Sequence, residues 1–319
     1  METKRKVNIS EVTLYLGVIV IFFAFAIACK ILGKNFLTLS NIFNIIAQAS
    51  ITSILAIGAS LVILTGGIDL SVGSVVGFVG ILGGMLIKGG VAVPITCIIM
   101  ILSGALFGIF NGLLVSYGKV PAFITTLGTM QIARGLALLI NSGQPVSGFP
   151  AGLSNIMGTR VFGKIPISVF YVIAFYALII FIMSYTKFGR HVYSLGGNIN
   201  AARLSGVRVK LVEVMVYILC GALAATAGIM LLSRLTYADP NAGTGYEMNA
   251  IAATVIGGIS LSGGRGHIGN SLIGAIILST LTCGLQIMNV ATYYQTIITG
   301  FVIIAAVFAD KQKERKAEG

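Results

Sequence analysis

Ten apolar runs, cut by short polar stretches, leave this chain few folds to choose from. They cover roughly residues 12–32, 42–65, 70–88, 91–116, 121–140, 166–184, 211–232, 247–262, 268–288 and 291–309. In hydrocarbon every backbone N–H and C=O must be satisfied within the protein, so such runs are expected to be helices. The expected fold is all-α and polytopic, one transmembrane domain over residues 1–319 with about ten spans. A polar loop at 186–210 and a polar tail at 310–319 complete it. Only 9% of residues are charged, against about 25% in soluble domains. The 41 glycines suit close helix packing and broken helices in lipid. The first run comes after Lys4, Arg5 and Lys6, is too long for a signal-peptide core, and reads as a retained span.

The net charge of +12 is spread between the apolar runs rather than gathered into a nucleic-acid patch. It sorts by side instead. With the N-terminus inside, 14 Lys and Arg fall on the inner side and 6 on the outer, with Arg134 inside a span. Both termini are then expected in the cytoplasm. Cys29, Cys97, Cys220 and Cys283 sit within apolar runs without CxxC or Cys/His spacing and read as small buried residues. No metal site is expected. The sequence carries no Walker A pattern, no HExxH and no GxSxG, so the polypeptide has no evident chemistry of its own.

The loop Thr186–Lys210 holds six basic or histidine side chains and no acid. Within it Asn198 is a suitable N-cap, Ile199–Ser205 provide about two helical turns, and Gly206 suits the C′ position. Ala201, Leu204 and Ser205 share one face of that helix, which another protein could approach closely, and Arg203 points elsewhere. A bulky residue at Ala201 or Ala202 is expected to crowd such a contact. The alternative is a loop that only sets topology.

Residues 66–71 read GGIDLS and residues 257–262 read GGISLS. Each copy closes one run and opens the next, on the same side of the membrane. Asp69 and Ser260 are candidate N-caps for the third and ninth runs. Asp69, an acid near membrane depth, is also a candidate for lining a pathway or gate. So are the polar residues Asn44, Gln48, Ser71, Asn111, Thr125 and Asn249, whose amides and hydroxyls suit a neutral polyhydroxylated solute and suit helix-to-helix ties equally well. Tyr237, Asp239 and Glu247, at the outer end of the seventh and eighth runs, are candidates for docking an external partner. The segment 141–165 is too apolar for a solvated tether and is expected to lie on the surface, to re-enter, or to dock an external partner.

The stretches ILTGGIDLSVGS (63–74), NGLLVSYGKVPAFITTLGTM (111–130), ARGLALL (133–139), GRHVYSLGGNINAARLSGVRV (189–209) and AIAATVIGGISLSGGRGHIGNSLIGAIIL (250–278) resemble, in order and spacing, the permease subunits of bacterial ribose-type sugar ABC importers. The resemblance implies a subunit of the bacterial cytoplasmic membrane that imports a monosaccharide, ribose or a near relative, and hydrolyses nothing itself. It implies an ATP-binding-cassette ATPase that binds ATP and Mg, an extracytoplasmic sugar-binding protein and a second permease copy. It also implies that residues 198–206 form the ATPase-coupling helix, with Asn200-Ala201-Ala202 and Gly206 echoing the family's EAA-x-x-x-G pattern. Asn200 stands where that pattern has Glu, which removes a carboxylate from the contact. An ion-coupled secondary transporter is the alternative; the shortage of acids within the spans speaks against it.

Overall fold

The computed structural model describes residues 9–318, so Lys4, Arg5 and Lys6 lie outside the described residues. The elements in order are α1 (Ile9–Ile31), α2 (Leu39–Leu64), α3 (Val72–Lys88), α4 (Val93–Ser116), α5 (Ala122–Ile140), β1 (Val146–Ser147), α6 (Ala151–Gly158), β2 (Arg160–Val161) and β3 (Ile165–Pro166). Then come α7 (Ile167–Tyr185), α8 (Lys187–Gly197), α9 (Ile199–Leu204), α10 (Val209–Leu235), β4 (Tyr237–Ala238), α11 (Tyr246–Ile256), α12 (Ile268–Ile287) and α13 (Thr292–Glu318). Among the described residues, seven helices are long and apolar enough to cross a membrane: α1, α2, α4, α5, α7, α10 and α12. The chain is a polytopic helical membrane protein.

Three of the expected runs are not among these seven. The run 247–262 is not one helix. α11 ends at Ile256, where Gly257 and a left-handed Gly258 (φ +82°) turn the chain. Eleven residues span about 16 Å, roughly half the hydrocarbon thickness. α3 and the apolar part of α13, Thr292–Phe308, are also shorter than the seven. The tail at 310–318 is the continuation of α13 rather than a separate segment.

α2 is the central rod, with 83% of its most apolar window buried, and α10 is next at 72%. By contrast α1, at 6%, lies on the periphery. It rests on α12, where the ring of Phe25 lies over Gly284. The ends of the helices obey local chemistry. Thr38 caps α2 by accepting from the Asn41 N–H at 3.2 Å, and prolines open α4, α5 and α7. Neither Asp69 nor Ser260 serves as an N-cap. α3 begins after Ser71, and Asp69 instead closes the turn before it. His267 caps α12, its Nδ1 accepting from Gly269 at 3.1 Å.

The most extensive seam joins α4 to α10. Gly104, Gly108 and Gly112 fall on one stripe of α4 at i, i+4, i+8 and face Gly221, Tyr217 and Val214 of α10. Small residues let backbones approach where lipid supplies no hydrophobic drive.

Residues 141–166 fold back over the end of α10. β1 pairs antiparallel with β4, Val146 opposite Ala238. The Ser233 hydroxyl donates to Leu153 O (2.8 Å) and accepts from Met157 N (2.9 Å), pinning α6. The β2–β3 hairpin carries an exposed Phe162 at its tip.

Candidate functional site

Toward the end of the bundle marked by β4 and the start of α11, five helices (α2, α10, α11, α12 and α13), with β4 and the loop before α11, leave a polar cavity of about 700 Å³. Gln48 comes from α2, Asn249 from α11, Thr282 and Gln286 from α12, and Gln295, Thr296 and Thr299 from α13. The loop before α11 adds Asp239, Asn241 and Thr244. A smaller space of about 300 Å³, lined by Asn41, Asn44, Cys283 and Gln286, shares Arg234 with it. Amides and hydroxyls from facing helices give many donors and acceptors and little fixed charge, the chemistry that holds a neutral polyol. Gln48 is steadied by the Cys283 thiol, which lies 3.7 Å from its Oε1.

The candidates named from the sequence divide. Asn44, Gln48, Asn249, Tyr237 and Asp239 line these two cavities. Asp69, Ser71, Asn111 and Thr125 do not; they are buried inside the helix packing. Asp69 Oδ1 accepts from the Ser71 backbone (2.8 Å) and hydroxyl (2.6 Å), and Asn111 Nδ2 donates to that hydroxyl at 3.0 Å. Thr129 then donates to Asn111 Oδ1 at 2.6 Å, and Thr126 to Ile68 O at 3.1 Å. The turn before α3 is thereby tied to α4 and α5. Breaking one buried bond in such a chain costs about 1–3 kcal/mol. Thr125 leaves its buried hydroxyl without a partner among the described residues.

Arg134 donates to the carbonyls of Pro240 (2.5 Å) and Ala242 (3.0 Å) and so holds the loop before α11. Glu247 turns inward against Gly73, one oxygen accepting from Gly245 N at 3.1 Å. Tyr237 is 43% exposed, and Asp239 is half-buried, capping Asn241.

Residues missed from the sequence are Gln295, Thr296 and Thr299, with Thr282. The signal was present. Thr292, Gln295, Thr296 and Thr299 recur at i, i+3, i+4, i+7 along α13, a polar stripe on an otherwise apolar stretch.

At the opposite end of α2 the two Gly-Gly-Ile turns meet the loop between α7 and α10. That loop holds two helices rather than one. α8 has an apolar stripe of Phe188, Val192 and Leu195; the last two are buried. α9 is built as expected, with Asn198 Oδ1 accepting from Asn200 and Ala201, both at 3.0 Å. Its end is a Schellman motif: Gly206 N bonds Arg203 O (3.0 Å), Val207 N bonds Ala202 O (3.1 Å), and Gly206 has φ +81°. Ala202 faces the body of the protein at 3% exposure, so a bulky residue there would unseat α9 rather than crowd a partner. Asn200, Ala201, Arg203, Leu204, Ser205 and Gly206 are exposed, Leu204 at 90%.

α8 ends on a crossing of three backbones. Gly264 N donates to Leu64 O at 2.9 Å, and Gly196 lies against both. A Cβ on Gly196 would stand 2.5 Å from Gly264 N, and one on Gly263 would stand 3.0 Å from Gly66 N. Tyr193 reinforces the junction by donating to Gly266 O at 3.0 Å, and burial pushes its hydroxyl pKa up, keeping it a neutral donor. Leu64 and Gln48 belong to the same helix, 16 residues or about 24 Å apart. The junction and the cavity are therefore two ends of one rod.

Residues 41–307 match the family described as branched-chain amino acid transport system / permease component. Among curated proteins, the ribose import permease of Escherichia coli (strain K12) is 42% identical over 287 residues, covering 89% of each chain. That of Bacillus subtilis (strain 168) is 40% identical over 315 residues and 97% of each chain. The D-allose transport system permease of Escherichia coli (strain K12) is 39% identical over 295 residues, 91% of this chain and 90% of the relative. No solved structure matches. A polytopic helical chain with a polar cavity, matched along most of its length by transport-system permease components, belongs to that permease family.

Proposed function

We propose that this chain is the membrane subunit of an ABC importer for a monosaccharide such as ribose, and that the 700 Å³ cavity is part of the sugar's route. The observation that carries the reading is the continuity of α2, with Gln48 in the cavity and Leu64 in the Gly196–Gly264 junction. In this reading α9 docks on a separate ATPase that binds ATP and Mg, and an external sugar-binding protein delivers the solute on the cavity side. A second copy faces the first across the open side of the cavity. The charge count favours α8, α9 and both termini in the cytoplasm of a bacterial inner membrane. Ten crossings then require α3, the half-length α11 and α13 to count as spans. Closure of the ATPases would push α9, and the glycine junction would pass the movement to α2 and to the turn after α11.

The test is uptake by proteoliposomes holding the permease, ATPase and binding protein. Transport should need ATP and survive collapse of ion gradients. Gln48→Ala and Asn249→Ala should each lower sugar uptake roughly 2- to 13-fold, the span of one lost hydrogen bond. Uptake by this chain alone on a proton gradient would overturn the reading.

Leu204 gives a separate check on the ATPase contact. As the most exposed side chain of α9, it is expected to enter a pocket on the partner. Leu204→Glu should weaken ATPase pull-down roughly 30-fold, as loss of a hot-spot contact does, while membrane insertion stays normal. Undiminished pull-down would remove Leu204 from the contact.

A further inference from the structure

A third cavity, about 590 Å³, opens where α4 ends and α10 begins. Lys119, Arg203, Arg208 and Lys210 line it, together with Tyr117 and Leu211, and no carboxylate does. Glu213, one turn further along α10, feels the charge of Arg203 but does not line the space. The four cations come from three places in the chain: the turn after α4, helix α9 and the start of α10. All four are exposed, and Lys210 is steadied by a ring contact. Lys119 sits in left-handed backbone at φ +56°, and the Lys210 ammonium lies 4.7 Å above the Tyr117 ring. The N-terminal end of α10, a 27-residue helix, adds its own positive field.

We infer that this pocket binds the phosphate headgroup of an anionic phospholipid. Its position decides between a lipid and other anions. Ser116 and Val209 end and begin apolar helices long enough to span, so the pocket lies at the depth of lipid headgroups. Above it, Leu113 of α4 and Leu211 and Met215 of α10 are 43–47% exposed, as a surface beside acyl chains would be. Tyr117, 56% exposed, is the amphipathic aromatic expected at such an interface. Because Arg203 belongs to α9, a bound headgroup would brace that helix from the membrane side.

The test uses the permease in nanodiscs of phosphatidylglycerol mixed with phosphatidylcholine, read out by native mass spectrometry. Phosphatidylglycerol should stay bound to the parent protein and phosphatidylcholine should not. In the triple variant Lys119→Gln, Arg208→Gln, Lys210→Gln retention should fall roughly 100-fold, about fivefold per cation. Inorganic phosphate in large excess should not displace the lipid. Equal retention by parent and triple variant would overturn the assignment. Displacement by inorganic phosphate would make the pocket a site for free phosphate. Loss of ATPase pull-down in the triple variant with lipid retention unchanged would make it a protein contact, and would overturn the lipid assignment equally.

Discussion

Gly196→Ala is expected to lower ATP-driven uptake tenfold or more without preventing membrane insertion. The added methyl would stand 2.5 Å from Gly264 N and closer still to Leu64 O. Real side chains essentially never make such contacts, so α8 or the two turns must move apart. Overpacking of this kind costs about 1–3 kcal/mol, and the Gly264-to-Leu64 hydrogen bond would be lost with it. The neighbouring residue provides the control. A Cβ on Gly197 meets nothing within 4 Å, so Gly197→Ala should transport near the parent rate. Sugar uptake and ATP hydrolysis, measured together, should separate in Gly196→Ala: hydrolysis continues and uptake does not. Parent-level uptake would show that the crossing carries no movement.

Gly108→Leu should be the most damaging substitution for the folded protein itself. Even a Cβ at Gly108 would stand 2.7 Å from Ile218 Cα and 2.8 Å from Tyr217 C, both main-chain atoms that cannot rotate away. The α4–α10 seam would have to open along its length, because Gly104 meets Gly221 one turn away. Accumulation in the membrane should fall several-fold, and the remaining protein should not be monodisperse in detergent. Gly128→Leu and Gly135→Leu on α5, where a Cβ meets nothing within 4 Å, should be tolerated. Normal accumulation of Gly108→Leu would mean that the seam yields more readily than its backbone contacts imply.

How much of this could be read from the sequence depends on the range of the interaction. The long spans were legible because an apolar run of 18–27 residues has one solution in lipid. The cap and stop of α9 were legible because Asn198, Gly206 and their partners lie close together in the chain. α11 was misjudged because the apolar composition of 247–262 continues through Gly257 and Gly258, and composition does not see a left-handed turn. α8 was missed because its basic side chains mask Phe188, Val192 and Leu195 on the opposite face. The sorting of Asn111 from Gln48 was beyond reach. Both are amides in apolar runs, and only the fold puts one beside Ser71 and Thr129 and the other on a cavity.

The two Gly-Gly-Ile turns share a sequence but not a foundation. The first is bolted through Asp69 and Ser71 to Asn111 and through Ile68 to Thr126. The second makes two bonds of its own, Ser260 N to Arg265 O and Gly263 N to Ser260 O, and its main chain is held from outside by Leu64 O and Tyr193, with four left-handed glycines from 258 to 266. In the proposed coupling, a force arriving through α8 would meet one stiff support and one compliant support. Under the proposed coupling the assembly would work like a vice, with a fixed jaw at the end of α2 and a travelling jaw at the end of α11. Amide exchange should show the contrast directly, slow across 66–71 and fast across 258–266.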